Sequence, residues 1–241
     1  MNGKIGHFLS SLFADSIPFP YDIPWKNQQT EKMSLFTKKS CYIIVGASKG
    51  LGKSIAVNFA KKANNESVFL LLSRNTQLLE VVKSEINTSC PQLKVVTQQF
   101  DQGELDETKF ANVFETAFSK NNLSKDNFQQ AVIVHNVGTL GDINKFTRDM
   151  SNVDQLKTYF DMNLTGTILL NTAFLKFVTQ DKCPARYVVN MTSITAIQPF
   201  KSFSLYCTGE ILFVVKPSFV ALSVRYQVKS APGHCGPDLT R

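Results

Sequence analysis

Short apolar runs alternate along the chain with longer segments whose apolar residues recur every three or four positions. The runs are typical of strands buried on both faces of a sheet, and the segments are typical of amphipathic helices. The predicted strands are 42–45, 67–72, 93–97, 131–134 and 186–191. The predicted helices are 53–64, 75–86, 110–118 and 153–178. This alternation predicts an α/β fold with a doubly wound parallel sheet, whose ligands bind at the carboxyl ends of the strands.

The first strand ends in a glycine-rich turn that opens a helix. The turn reads Gly46-x-x-x-Gly50-x-Gly52, which differs from the Gly-x-Gly-x-x-Gly spacing of the common dinucleotide fingerprint and is also consistent with a plain glycine-rich connection. Gly46 allows a sharp exit from the strand, Gly50 lets backbone approach a pyrophosphate, and Gly52 lets the helix pack closely. The predicted cofactor-binding residues of the turn are Gly46, Ala47, Ser48, Lys49, Gly50, Leu51 and Gly52.

Composition narrows the class of protein. The 241 residues, 43% hydrophobic and 19% charged, suit one domain with a full core. The net charge of +7 comes from 26 scattered Lys and Arg residues, which favours a solvated basic surface over a nucleic-acid site. The five cysteines show no Cys-x-x-Cys pair, so we expect neither a disulfide framework nor a metal site. Without a membrane-spanning run or a convincing signal peptide, we expect a cytoplasmic protein.

Further polar residues follow the predicted strands in a fixed order. Asn136-x-Gly138 follows the fourth strand, Asn163 lies within a helix, Ser193 follows the fifth strand, and Tyr206 comes thirteen residues later. Taken singly, these residues suit ordinary structural roles: a strand-end serine, a surface tyrosine and an asparagine that satisfies helix backbone. Together with the glycine turn, they resemble the short-chain dehydrogenase/reductase family. The resemblance covers about residues 41–209 and implies a Rossmann-like sheet.

Three longer motifs resemble the sepiapterin reductase branch of that family: 72–75, 138–142 and 197–207. The resemblance implies that Tyr206 donates a proton to a carbonyl oxygen, that Ser193 positions that oxygen, and that Asn163 holds a proton-relay water. It also implies that Ser193, Ile194 and Tyr206 bind the substrate. The expected substrate is a small carbonyl compound, a pterin, reduced with NADPH in tetrahydrobiopterin biosynthesis, and the family expectation is a homodimer.

The cofactor prediction depends on Arg74, directly after the second strand, where an enzyme using NAD places a carboxylate for the ribose 2′-hydroxyl. A guanidinium there suits the 2′-phosphate of NADP, although Arg74 also fits an ordinary solvated loop. Asn75 and Asn136 complete the predicted set. Asp101 falls where the family hydrogen-bonds the adenine, with Gln102 beside it, but Asp101 also fits as a helix cap.

The chain departs from the family pattern after Tyr206. Four residues later the family has a lysine that binds the nicotinamide ribose and lowers the tyrosine pKa, whereas this chain has Glu210. A carboxylate there disfavours the phenolate form of Tyr206. Alternatively Glu210 faces solvent, but the lysine that catalysis needs is missing in that case too. We therefore keep an alternative function, a catalytically impaired NADP-binding isoform or truncated product.

The C-terminal segment is also short for the family, and this affects the predicted domains. Pro217 predicts a short helix around Tyr206, and the segment 225–230 is too polar for a buried strand. We therefore expect incomplete C-terminal strands, an exposed fifth strand and a doubtful dimer. The predicted organisation is an irregular extension over 1–39, of which 1–32 is dispensable, an NADP-binding domain over 40–209, and a divergent tail over 210–241.

Overall fold

A computed structural model describes residues 35–125, 128–196, 198, 203–214 and 221–226 of the chain. Within these residues, six parallel strands form one sheet in the order β3-β2-β1-β4-β5-β6. The strands are β1 Ser40–Val45, β2 Val68–Ser73, β3 Lys94–Gln99, β4 Gln130–His135, β5 Ala185–Ser193 and β6 Ala221–Tyr226. The α-helices are α1 Gly50–Ala60, α2 Thr76–Ser89, α3 Glu107–Lys120, α4 Val153–Phe160, α5 Gly166–Phe177 and α6 Ser204–Val214. The predicted doubly wound α/β fold is confirmed.

The sheet is buried on both faces because its strands alternate between two apolar clusters. In β1, Cys41, Ile43 and Val45 join a cluster with α3 and α5, whereas Tyr42 and Ile44 join a cluster with α1 and α2. The central strands therefore carry no solvent-facing position, which explains why they appear in the sequence as continuous apolar runs.

The predicted exposure of the fifth strand is wrong. β6 pairs in parallel with β5, with Val188 opposite Ala221 and Ser193 opposite Tyr226. The strand begins four residues before the polar segment 225–230, so the composition of that segment does not represent the strand. The helix that carries Tyr206 is also longer than predicted, since α6 has 11 residues. A seventh strand is not among the described residues.

The predicted helix over 153–178 forms, but a π-helical turn over Asp161–Thr165 divides it into α4 and α5. Such turns widen the helix locally and frequently occur at functional sites. A Cβ at Gly166 would collide with the backbone oxygen of Gln102, so the helix passes unusually close to the loop after β3.

The chain ahead of β1 is attached to the core from residue 35 onward. Leu35 is buried, and its carbonyl oxygen accepts hydrogen bonds from the Tyr42 hydroxyl and from Gln130 Nε2. The predictions for residues 1–32, for Pro217 and for residues 197 and 199–202 of the motif at 197–207 lie outside the described residues. No helix among the described residues is long and apolar enough to span a membrane.

Candidate active site

A cleft of about 990 Å³ opens at the carboxyl ends of the strands. It lies where the chain order reverses, since β1 is flanked by β2 on one side and β4 on the other. This reversal separates the loops after neighbouring strands and leaves room for a ligand between them. The predicted cofactor residues that line the cleft are Gly46, Ser48, Lys49, Gly50, Arg74, Asp101, Gln102 and Asn136.

The glycine-rich turn has the backbone that a phosphate site requires. Gly46 and Gly50 have φ angles of +77° and +56°, which L side chains rarely adopt. A Cβ at Gly52 would collide with the Gly46 carbonyl, whereas nothing lies within 4 Å of a Cβ at Gly50. Gly46 and Gly52 are therefore needed for the turn itself, and the space above Gly50 is open.

The first turn of α1 faces this open space without a competing anion. Lys49 precedes the helix in an extended conformation without capping it through its side chain, and the first turn contains no acidic residue. The N–H groups at the helix start and the positive end of its dipole thus remain suited to a phosphate. Ser48 lies beside them, hydrogen-bonded to the Ser73 hydroxyl at 2.8 Å.

Arg74 and Asp101 face each other across the ends of β2 and β3. The guanidinium NH1 lies 4.0 Å from the Asp101 carboxylate; Arg74 is exposed and Asp101 is partly exposed. The other oxygen of Asp101 accepts a hydrogen bond from the Gly103 N–H at 3.0 Å. The alternative that Asp101 caps the following helix is wrong, because Asp106 is the residue that caps α3.

Three of the remaining predicted cofactor residues bind the protein's own backbone. Asn75 caps α2 by accepting from the Leu78 N–H at 2.9 Å. Asn136 Nδ2 lies 3.4 Å from the Gly46 carbonyl oxygen. Gln102 is buried and donates to the Met162 carbonyl oxygen at 2.7 Å and to Thr167 Oγ1 at 2.9 Å. These contacts hold the walls of the cleft in place.

Asn163 lies in the π-helical turn and clamps the loop after β4. Its Oδ1 accepts from the Thr139 N–H at 2.8 Å, and its Nδ2 donates to the Thr139 carbonyl oxygen at 2.9 Å. The side chain is buried, so the clamp connects the helix to the loop at the centre of the site.

Ser193 and Tyr206 come together although they lie on different elements. Ser193 ends β5 and Tyr206 lies on α6, and a hydrogen bond between their side chains lowers the pKa of the tyrosine in part. Ile194 follows Ser193 in a 3₁₀ turn. None of these three residues is among those that line the cleft, whereas Leu205 beside Tyr206 is.

Glu210 does not face solvent. It is buried, and its Oε2 accepts hydrogen bonds from Thr192 Oγ1 at 2.6 Å and from the Ser193 N–H at 2.8 Å. The carboxylate thus fastens α6 to the end of β5. Burial and, next, the charge of Glu210 raise the pKa of Tyr206 to about 12, which agrees with the predicted direction.

Sequence reasoning missed Tyr159, which connects the two halves of the site. This buried side chain lines the cleft and packs against Gly141 and Gly209, where an added Cβ would crowd its ring and hydroxyl. Burial raises its pKa to about 12, and Glu210 contributes a smaller increase. Its position four residues before Asn163 was the available signal, since that spacing places both on one helical face.

Residues 40–210 match the family model described as short chain dehydrogenase. The chain belongs to the short-chain dehydrogenase family.

Curated relatives of the chain include reductases of two kinds. Sepiapterin reductase from Bos taurus is 30% identical over 189 residues, which cover 75% of this chain and 69% of the relative. The Rattus norvegicus enzyme is 30% identical over 190 residues, covering 75% and 71%. Benzil reductase ((S)-benzoin forming) from Bacillus subtilis is 29% identical over 170 residues, covering 70% and 61%.

Solved structures agree on the fold. A putative short chain dehydrogenase from Escherichia coli CFT073, complexed with NADPH, has a TM-score of 0.62 at 20% identity, covering 75% of this chain and 69% of its own. A putative short chain dehydrogenase from Shigella flexneri also has a TM-score of 0.62 at 20% identity, covering 74% and 73%. These solved structures therefore share the fold of this chain.

Proposed function

We propose that the chain binds NADPH in the cleft and is a carbonyl reductase of the sepiapterin reductase kind, with turnover suppressed by Glu210. The observation that carries the proposal is the coexistence of a complete phosphate turn with a buried carboxylate beside the Ser193–Tyr206 pair. The first supports nucleotide binding, and the second opposes rapid proton transfer.

The residues of the cleft fit a dinucleotide phosphate. The positive φ angles of Gly46 and Gly50 and the uncapped start of α1 suit a pyrophosphate, and Lys49 adds a cation to the same wall. Arg74 suits the additional 2′-phosphate of NADPH, because its present contact with Asp101 is long and exposed and is therefore weak. A phosphate dianion is a stronger partner for the guanidinium.

The proposed chemistry uses two hydroxyl groups of this chain. Bound NADPH supplies a hydride for a carbonyl carbon. The Tyr206 hydroxyl, which a pKa of about 12 keeps protonated near neutral pH, gives its proton to the carbonyl oxygen. The Ser193 hydroxyl donates a hydrogen bond to that oxygen, and Asn163 keeps the loop after β4 in position.

Glu210 slows the proton transfer from Tyr206 to the carbonyl oxygen. After donating, Tyr206 is a phenolate, and the adjacent carboxylate raises the free energy of that anion. Efficient general acids have a pKa near the working pH, and their loss costs about 10²- to 10⁴-fold in rate. The alternative function, nucleotide binding without turnover, is favoured by the same carboxylate and by the absence of Ser193 and Tyr206 from the cleft lining.

Nucleotide binding is tested by titrating the fluorescence of NADPH and NADH with the unmodified chain. We expect tighter binding of NADPH, and we expect Arg74→Asp to narrow or reverse the preference. Lys94→Asp is the matched control, because it makes the same charge change at the start of β3, the end opposite the cleft. Equal affinities for the two nucleotides in the unmodified chain would contradict the assignment of Arg74.

Turnover is tested by NADPH oxidation near pH 7 with sepiapterin and with benzil, the two substrates suggested by the relatives. We expect very low rates that Tyr206→Phe abolishes. Glu210→Lys alone should recover little, whereas Glu210→Lys combined with a complete family C-terminal segment should recover activity clearly. If the chain binds NADPH but shows no NADPH oxidation that Tyr206→Phe abolishes, the non-catalytic alternative is favoured. Rapid turnover by the unmodified chain would refute the proposed role of Glu210.

A further inference from the structure

Four buried polar atoms on the α5 side of the sheet have no hydrogen-bond partner among the described residues. They are Nδ1 and Nε2 of His135, Oδ1 of Asn171 and Oδ1 of Asn190. His135 ends β4 and is only 4% exposed. A buried polar atom without a partner is costly, and native proteins normally satisfy such atoms with protein groups or with ordered water.

The three side chains converge on one place. His135 and Asn190 are directly opposite each other on β4 and β5. Alternation along β4 places His135 on the same face as Ile133, which packs in the cluster that includes α5. Asn171 lies on α5, near enough to the imidazole to raise its pKa in part, but no pair of their atoms has the distance and angle of a hydrogen bond. The three side chains therefore lie near one another between two strands and one helix.

We propose that His135, Asn171 and Asn190 form an internal hydration site that holds at least one long-lived water molecule. One water molecule can satisfy three of the four atoms, and the unprotonated imidazole nitrogen needs a further donor. A water molecule donates two hydrogen bonds, which suit the two carboxamide oxygens, and it accepts a bond from the one N–H of a neutral imidazole. Burial lowers the pKa of His135 to about 4, so the ring is neutral near pH 7. A bound cation suits the site less well, because it cannot accept the imidazole N–H.

The site is separate from the proposed cofactor cleft, since none of its three residues lines that cleft. It nevertheless supports the cleft mechanically. His135 directly precedes Asn136, whose amide faces the Gly46 carbonyl of the phosphate turn. A water molecule that fixes the His135 ring therefore helps to fix the end of β4 from which Asn136 extends.

The experiment is nuclear magnetic resonance of the unmodified full chain, labelled with ¹³C and ¹⁵N only in histidine. The chain has three histidines, and the variants His7→Gln and His234→Gln assign the other two signals. We expect the His135 ring to remain neutral, in a single tautomer, from pH 7.5 to pH 5.5. We also expect cross-relaxation between its ring protons and water, with the sign of a long-lived bound molecule. A tautomer mixture or the absence of that cross-relaxation would overturn the proposal.

A pair of variants tests the asparagine contribution. Asn190→Leu removes one acceptor and should abolish the water cross-relaxation of His135. Asn87→Leu is the matched control, because Asn87 is exposed on α2, and it should leave the signal unchanged. Persistence of the signal in a folded Asn190→Leu variant would remove Asn190 from the site and contradict the proposal as stated.

Discussion

Replacement of Glu210 by lysine should destabilise the chain, although lysine is the residue that the family pattern predicts there. Glu210 accepts two hydrogen bonds, from Thr192 Oγ1 and from the Ser193 N–H, inside the protein. An ammonium group has donors only, so both bonds are lost and the Ser193 N–H then faces a buried cation. The local structure has adapted to the carboxylate, and a single charge reversal does not restore the family site.

The magnitude follows from the two contacts. A hydrogen bond to a charged group contributes about 1.5–3 kcal/mol, so the loss of two costs at least about 3 kcal/mol. For a domain of this size, each kcal/mol lowers the Tm by roughly 2–4 °C, which predicts a decrease of roughly 6–12 °C. Glu210→Gln keeps a carbonyl acceptor and should cost less, about 1–2 kcal/mol.

The assay combines thermal unfolding with a spectroscopic titration of tyrosine. Unfolding ranks the stability of the unmodified chain, Glu210→Gln and Glu210→Lys. The ultraviolet absorbance of phenolate, compared with that of Tyr206→Phe, reports the pKa of Tyr206, which should fall from about 12 in Glu210→Gln because the adjacent charge is gone. A Glu210→Lys variant as stable as the unmodified chain would refute the proposed fastening of α6 to β5.

Three further predictions concern stability. Deletion of residues 1–32 should lower the Tm by less than about 5 °C, and a larger decrease would show that the extension packs on the core. The pKa of His135 is about 4 in the fold and near 6.5 in the unfolded chain, so the unfolded chain binds a proton first as the pH falls and the free energy of unfolding decreases between pH 6.5 and pH 4. Urea unfolding should show about 2 kcal/mol less stability at pH 5 than at pH 7.5, and His135→Leu should reduce that difference. Gly209→Ala should lower the free energy of unfolding by about 1–3 kcal/mol, because the added methyl group collides with the Tyr159 hydroxyl. Thr208→Ala is the control and should cost less, and equal Tm values for the two variants would contradict the prediction.

The local sequence pattern was sufficient to predict a structural feature wherever the residues that determine the feature lie within the same segment. The continuous apolar run of β1 predicts a doubly buried strand because every position of such a strand meets an apolar layer. The glycines at 46, 50 and 52 predict a phosphate turn because their conformations depend on the adjacent backbone. The order of strands and helices then predicts the sheet and the edge at which its ligands bind.

Contacts between segments that are distant in the chain could not be predicted from local sequence patterns. The polar segment 225–230 shares only two residues with β6, and the pairing of β6 with β5 depends on register as well as on local composition. The two hydrogen bonds of Asn163 reach the backbone of Thr139, 24 residues away, so the sequence alone left its role open.

Glu210 shows most clearly which properties of a residue follow from the sequence and which follow from the tertiary structure. The sequence by itself determined that the expected lysine is missing and that a carboxylate one helical turn from Tyr206 opposes the phenolate. Only the tertiary structure decided that this carboxylate is buried and bound to Thr192 and Ser193, because α6 and the end of β5 meet through folding of the whole sheet. The charge of a side chain is a property of the sequence, whereas its solvation and partners depend on which distant residues the fold brings against it.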